Sequence, residues 1–374
     1  MVLPFVSRKR LQTGCPSSGG RRGWIGIDAG TVLTTIAQVE RRGNDYRISA
    51  RWSVPSESGP SGRDAADCRS DVGPLFQQIK QARSMFRGCR AAAVLSASVA
   101  RYRCLDIPSG SREELRRMVH EELQADENWQ ADSEQCYAFW EVTGRAGANG
   151  KMTQVSVVDV DRETALGLAR NLQSVGWDCR ILDALPCALA RAAHLSDPQG
   201  THTPTAVIDL GHSAAVLIVA VQGGPQFTRV LRGGALGTFV RPLQESLHLS
   251  PAEAHQLLRR IGIAPAAGDL HSEAGASSIH QLMSEPAEQL FSEIQRTLSY
   301  LDQSLPSLVP ERIVLCGGGA LVRNLPERLA AETGIETRCW SMSADHGQPV
   351  RQDDALFAVA AALSVLAWEK QPCT

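Results

Sequence analysis

The stretch AVIDLGHSAAVLIVAVQGGPQFTRVLRGG (206–234) decides how the rest of the chain is read. Apolar runs flank the turn Asp209-Leu210-Gly211-His212-Ser213, which predicts a buried strand, a tight turn and a second buried strand over Val216–Val221. A Gly-Gly turn and a third strand, Gln226–Leu231, follow before Gly233-Gly234. A D-x-G-x-S turn of this kind suits an anion. Glycine lets the main chain come close, neighbouring N–H groups point outward and the hydroxyl adds a donor. An aspartate beside them can hold Mg²⁺ through water. The same turn more often joins ordinary hairpins, so alone it says little.

Its weight comes from repetition. Trp24-Ile25-Gly26-Ile27, the turn Asp28-Ala29-Gly30-Thr31 and the strand Thr35–Val39 repeat the pattern 181 residues earlier, with Asp28 on Asp209 and Gly30 on Gly211. An internal repeat implies two similar lobes, each offering a phosphate hairpin to a shared cleft. A third glycine turn, Gly317-Gly318-Gly319-Ala320, lies between the strand Arg312–Leu315 and a helix predicted over Leu321–Glu332. Free N–H groups and flat backbone there suit adenine and ribose stacked on main chain, or an α-phosphate at the helix start. Tight packing of strand on helix explains the same glycines.

The totals exclude several classes. With 374 residues, 43% apolar and 21% charged, the chain is soluble and long enough for two or three compact units. A net charge of −2 leaves no basic footprint for nucleic acid. Of the ten cysteines no two lie closer than eight residues, so no C-x-x-C motif exists, and they read as core residues and thiols of a reducing cytoplasm. The longest apolar run, Ala355–Trp368, is fourteen residues, short of a span. Arg8, Lys9 and Arg10 precede no apolar region, so no signal peptide is read. A cytoplasmic protein is expected.

In chain order, 1–23 is predicted to be a flexible basic tail, 24–100 with 151–200 the first lobe, 101–150 an insertion and 201–374 the second lobe. The first lobe should hold a helix over Leu75–Phe86, strands over Ala92–Ser96, Thr153–Val160 and Asp178–Ile181, and a helix over Glu163–Val175. The insertion carries a strand Arg101–Ile107, a helix opened by the capping box Ser111/Glu114, a strand Cys136–Val142 and a turn Gly144–Gly150. Leu115, Met118, Val119 and Leu123 share one face of that helix. Trp129 and Trp140 fit either its core or a partner groove. Asp183 opens a predicted helix, 183–194, where it is open to two readings: an N-cap, or a carboxylate facing the terminal phosphate of a nucleotide. Helices Thr238–Leu247, Pro251–Ile261 (capping box Ser250/Glu253) and Pro286–Leu305 follow, with 262–285 a loose connection. Strand Ile335–Cys339 and helix Asp354–Trp368 finish the chain.

Three glycine turns in this order over two repeated lobes resemble the actin-like ATPase superfamily, and within it the FtsA-like PilM family of type IV pilus assembly. The resemblance rests on IGIDAGT (25–31), DALPCALARA (183–192), AVIDLGHSAAVLIV (206–219), FTRVLRGG (227–234), LSPAEAHQLL (249–258), EIQRTLSYL (293–301) and IVLCGGGALVRNLPERL (313–329), and covers about 24 to 368. It implies an α/β fold of two duplicated actin-like (ribonuclease H-like) lobes around a nucleotide cleft, with a small inserted α+β subdomain in the first lobe. It implies ATP and Mg²⁺ as ligands. Phosphate would be bound by Asp28, Gly30, Thr31, Asp209, Gly211, His212 and Ser213, and adenosine by Gly317, Gly318, Gly319, Gly233 and Gly234. Asp28 and Asp209 would hold Mg²⁺ through water. Asp183 is the one candidate for a catalytic carboxylate, and hydrolysis is expected to be slow or absent. The implied setting is the cytoplasmic face of the inner membrane. The implied partners are the cytoplasmic tail of a PilN-like single-span protein and, through it, pilus motor components.

Two departures from the family pattern carry consequences. Thr35 stands where the pattern has lysine, removing a charge-assisted contact worth about 1.5–3 kcal/mol. Ala125–Ser133 replaces a proline-bearing segment near the expected partner pocket. An FtsA-like membrane-associated filament and a small-molecule kinase are the alternatives. The first calls for a basic amphipathic C-terminal helix, which Glu369–Thr374 does not offer. The second calls for a carboxylate in a substrate cleft, for which only Asp183 is available.

Overall fold

The computed structural model describes residues 2–3, 21–43, 45–55, 79–97, 99–126, 135–146, 152–200, 202–266, 275–342, 351 and 353–369. The chain divides into two compact units, 1–44 with 49–188 and 363–374, and 45–48 with 189–362.

In the first unit the strands are β1 (Val2–Leu3), β2 (Arg22–Ala29), β3 (Leu33–Arg42), β4 (Asp45–Pro55, of which 45–48 group with the second unit) and β5 (Arg90–Val94). Next come β6 (Arg101–Pro108), helix α1 (Arg112–Gln124), β7 (Gln135–Ala146), β8 (Met152–Asp161), helix α2 (Arg162–Ser174) and β9 (Asp178–Asp183). One sheet runs β1-β9-β5-β2-β3-β4, with β2 antiparallel to β3 and parallel to β5, and β5 parallel to β9. Its core gathers Ile25, Ile27, Ile36, Phe86, Leu172 and Trp177 among others. Phe86 and Trp177 meet edge to face at 6.0 Å, a pairing worth about 1 kcal/mol beyond burial.

Helix α3 (Leu185–Ser196) leads to the second unit: β10 (Thr205–Leu210), β11 (Ala215–Val221), β12 (Gly224–Leu231), α4 (Leu236–Leu247), α5 (Pro251–Arg260) and α6 (Ala276–Ser304). β13 (Arg312–Cys316), α7 (Leu325–Thr333), β14 (Glu336–Cys339) and α8 (Ala358–Ser364) complete it. The sheet runs β12-β11-β10-β13-β14. Read from the other edge, this is the order β9-β5-β2-β3-β4 of the first unit, with the same antiparallel hairpin and the same two parallel neighbours. The offset of 181 residues holds at the level of single rungs: Asp28 pairs with Thr35, and Asp209 with Val216. The predicted duplication is visible in the register.

The inserted subdomain is a three-stranded sheet, β6-β8-β7, with α1 against one face. Both halves of the Ser111/Glu114 capping box form. Leu115, Val119 and Leu123 bury against Phe139, Val155 and Val157, with Met118 partly buried beside them. The other face turns Tyr102, Ala138, Trp140 and Val158 toward the core of the first unit. Asp159, fully buried, is matched by Arg101 at 2.7 Å and Arg103 at 3.3 Å, so its charge is not left alone. Trp140 therefore packs as a core residue; Trp129 and most of Ala125–Ser133 lie outside the described residues.

Several boundaries differ from expectation. Val2–Leu3, within the predicted tail, pairs with Leu182 and Asp183 at the sheet edge. Strand β7 continues to Ala146, through part of the predicted turn 144–150. The largest difference is α6. It starts at Ala276, inside the predicted connection 262–285, and runs 29 residues straight through Pro286. Proline in a helix interior costs about 3 kcal/mol. Here the buried stripe Ile279, Met283, Pro286, Ala287, Leu290 and Ile294 outweighs it. Of the predicted helix Leu75–Phe86, residues 79–82 are helical and Arg83–Met85 form a 3₁₀ turn. After the third glycine turn a 3₁₀ segment, Gly318–Leu321, precedes α7, because Asn324 adopts a left-handed φ of 67° and interrupts the helix. The predicted last helix is likewise split into 3₁₀ Asp354–Phe357, α8 and 3₁₀ Val365–Ala367. Residues 363–369 cluster with the first unit. There Ser364 Oγ donates to Trp24 O (2.6 Å) and accepts from Val39 N (2.9 Å). Cys104, Cys136, Cys179, Cys187, Cys316 and Cys339 form no disulfide, but Cys89 does, which the thiol-only reading did not foresee. No helix among the described residues is long and apolar enough to cross a membrane.

Candidate functional site

The second unit brings most of the predicted residues into one cluster, built where β10 and β13 end side by side. Asp209, the penultimate residue of β10, lies in parallel register with Cys316 at the end of β13. The chain then turns over it. Gly317 has φ +78°, and a Cβ there would stand 2.4 Å from Asp209 Oδ1; one on Gly319 would stand 2.5 Å from Leu210 Cβ. Only glycine fits at both positions, and the backbone of 317–319 is thereby laid against the Asp209 turn. Gly318 is less constrained, its Cβ position 3.1 Å from Leu236 Cδ2. Gly317 N donates to Ala355 O at 3.0 Å, which ties the turn to the segment before α8.

The Asp209 turn is pinned from the other side by the start of α4. Leu236 N donates to Gly211 O and Gly237 N to His212 O, both at 2.9 Å. At Gly211 a Cβ would meet Ala214 O at 2.8 Å, so the tight turn demands glycine. Ser213 is exposed at its tip. The His212 ring packs on Gly237 and, 5.7 Å away, on the ring of His255 from α5.

Asp209 keeps part of its surface accessible, yet its carboxyl is enclosed by protein, and that loss of hydration pushes it up to about 6. A carboxylate held short of water gains most from a cation. It fits Mg²⁺ delivered with phosphate, which brings its own waters and needs few protein ligands. Among the described residues no group of three or more His, Cys, Asp or Glu could hold a metal by protein alone.

Gly233 and Gly234 follow β12 beside α6, and they differ. At Gly234 a Cβ would strike Leu290 Cδ1 at 2.8 Å and crowd Leu231 and Ala215, so packing of sheet on helix already favours glycine there. Gly233 has ordinary space but donates its N–H to Glu293 Oε1 at 3.2 Å. The other oxygen of that carboxylate, Oε2, is buried and finds no partner among the described residues. Glu293 was missed in the sequence. Its position on the helical face shared with Leu290 and Ile294 was the available signal, but that face reads as core.

The first unit repeats the turn. Asp28 closes β2 in register with Thr35 on β3 and Val94 on β5. At Gly30 a Cβ would meet Leu33 O at 2.5 Å, the counterpart of the Gly211–Ala214 approach. Thr31 follows in the same turn. Thr35 is buried, and its hydroxyl finds no partner among the described residues. Asp183 ends β9 on the rung of Val94, two strand spacings (roughly 10 Å) from Asp28. It is buried and accepts from Ala184 N at 2.9 Å, one residue ahead of α3.

No protein-family model matches the chain, and no curated protein matches it. Solved structures do. The chain is similar to a PilM–PilN type IV pilus biogenesis complex, with 21% identity, a TM-score of 0.75, and 94% of this chain and 100% of that chain covered. It is similar to the ethanolamine utilization protein EutJ from Carboxydothermus hydrogenoformans (13% identity, TM-score 0.54, 94% and 92% covered). It is also similar to MreB5 of Spiroplasma citri bound to AMPPNP (13%, 0.51, 94% and 96%). Together with the duplicated sheet order, these likenesses establish the fold expected from the three glycine turns: an actin-like α/β fold of two similar units with a small α+β insertion in the first.

Proposed function

We propose that this chain binds ATP with Mg²⁺ and acts as a scaffold, with slow or no hydrolysis, in the inner-membrane assembly complex of a type IV pilus or a related secretion machine. It grips the cytoplasmic tail of a PilN-like single-span protein and through it communicates with pilus motor components. It works at the cytoplasmic face of the inner membrane. The observation that carries the reading is the likeness to the PilM–PilN complex over 94% of this chain and all of the other.

The nucleotide reading rests on the cradle in the second unit, where two glycines are forced by the close approach of backbone to Asp209 and Leu210. Asp209 takes Mg²⁺ through water; Gly211, His212 and Ser213 take phosphate; Gly317–Gly319 lie under the adenosine. Glu293 Oε2 accepts from a ribose hydroxyl, and Gly233 holds Glu293 in place. Asp28, Gly30 and Thr31 contribute phosphate contacts from the first turn, weakened by Thr35. Asp183 is enclosed and already engaged by Ala184, which supports slow turnover.

Thermal shift with Mg·ATP tests the ligand, because a ligand of the native state alone raises Tm. The native protein should gain several degrees and Asp209→Ala should gain none. An unmoved Tm at millimolar ATP would sink the nucleotide reading. Pull-down with cytoplasmic tails of single-span proteins encoded nearby tests the scaffold separately; failure with every such tail, together with phosphorylation of a metabolite, would give the kinase alternative instead.

A further inference from the structure

His255 has no role in the cradle as described so far, yet it is built into it. Its ring faces His212 with centroids 5.7 Å apart and planes tilted by 46°. Its Nδ1 lies 2.7 Å from Pro251 O, so it carries the proton and donates, which fixes the ring and its tautomer. His212 is held as firmly, by Gly237 N on its carbonyl and the Gly237 backbone against its ring, while its Nδ1 is buried without a partner among the described residues. Two imidazoles thus sit under one turn, both half-buried, one oriented by backbone and one with an idle nitrogen.

We propose that His212 and His255 act as a proton-accepting pair beneath the second phosphate turn, His255 positioning His212, so that an anion bound there is matched by one added positive charge. The proposal rests on the nucleotide reading for its ligand and adds the residue and the linkage.

The surrounding charges favour a pair that is neutral until an anion arrives. Burial, then the neighbouring His255, hold His212 below the usual imidazole range. Burial holds His255 down against the pull of the Pro251 carbonyl, and Arg259 on the same helix adds to it. From α4 the ring of His212 meets a helix start with no acidic residue in its first turn, and the charged groups further along, Arg241 and Glu245, are exposed. On α5 Glu253 is engaged in its cap with Ser250. From β10 and β13 come Asp209 and Cys316, both raised by burial. A phosphate placed on the turn reverses the balance, and the pair takes up a proton. Affinity for the anion then strengthens as pH falls from 8 toward 6.5, by at most about tenfold for each pH step of one for one proton.

Calorimetric titration of Mg·ATP into the native protein and His255→Gln, at pH 7 in two buffers of different ionisation enthalpy, measures proton uptake. Comparing the two proteins cancels the protonation of the ligand itself. The native protein should take up about half a proton more than the variant, and between pH 8 and 6.5 its affinity should rise about three- to tenfold beyond the change in the variant. Equal uptake in both proteins would overturn the pair and leave the nucleotide reading standing. Should no nucleotide bind, or His255→Gln not fold, the imidazole resonances of His212 and His255 in the native protein are followed against pyrophosphate. An upward move of their titration supports the pair as an anion site of its own; an unmoved titration overturns it.

Discussion

The two Asp-x-Gly turns share a backbone and differ in what stands around it. In both, the aspartate closes the first strand of a hairpin, and in both the glycine is forced by a carbonyl three residues ahead, Leu33 O or Ala214 O. Beyond that they part. The turn at Asp209 is covered by Gly317–Gly319, pinned by the start of α4 and carries the facing rings of His212 and His255. The turn at Asp28 faces Val94 where the other faces Cys316 and its glycines, and its cross-strand neighbour is the idle hydroxyl of Thr35. Sheet order and register are the same in both units, while the described surroundings of the two turns differ. A strand rung is held by its neighbours on both sides; a ligand contact is held by function alone.

Substitutions can break this comparison, and the largest effect is expected at Gly317. Gly317→Ala forces a side chain into a left-handed backbone and against Asp209, and should destabilise the fold by about 2–4 kcal/mol in urea unfolding. A loss below about 1 kcal/mol would mean the cradle yields. Gly30→Ala and Gly211→Ala come next. Each should cost about 1–3 kcal/mol, and the two costs should agree within about 1 kcal/mol if the turns are true counterparts. Thr35→Lys should restore the missing ammonium and tighten ATP about tenfold by calorimetry. No gain would remove the first turn from the nucleotide site.

Asp209→Asn sharpens the comparison through pH. A carboxyl raised from 3.8 to about 6 in the folded state gives stability present below pH 4 and lost as pH rises through 6. At pH 8 the ligand-free variant should therefore be more stable than the native protein, by about 1 kcal/mol given the partial exposure of the group, while losing the Mg·ATP shift. At pH 4 the difference should vanish. The smallest effect is expected for Thr35→Val, which removes the unpartnered hydroxyl at nearly constant shape and should stabilise the first unit by up to about 1 kcal/mol.

Much of the fold was legible because its signals are local. Apolar strands around Asp-x-Gly, the repeat between them and the capping boxes at Ser111 and Ser250 all declare themselves within a few residues. What stayed hidden depends on distant partners. Glu293 lies on an apolar helical face and matters only because Gly233, 60 residues earlier, comes to it. His255 reads as a polar residue of an amphipathic helix until its ring is found on His212. Pro286 looked like a helix start by its chemistry, and tertiary burial carried α6 through it. Thr35 was legible as a departure; that its hydroxyl would be left idle was not.

Ser364 sets an order of events during synthesis. Its hydroxyl completes the first unit by bridging Trp24 O and Val39 N, contacts that span 340 and 325 residues. While the ribosome is still making the second unit, β2 and β3 can pair, but the amide of Val39 has no Ser364 to meet. The first unit is thus closed only after residue 364 has been made. A nascent chain arrested before residue 364 should accordingly be cleaved by protease within the β2–β3 hairpin, and one arrested far enough beyond it for Ser364 to clear the exit tunnel should resist.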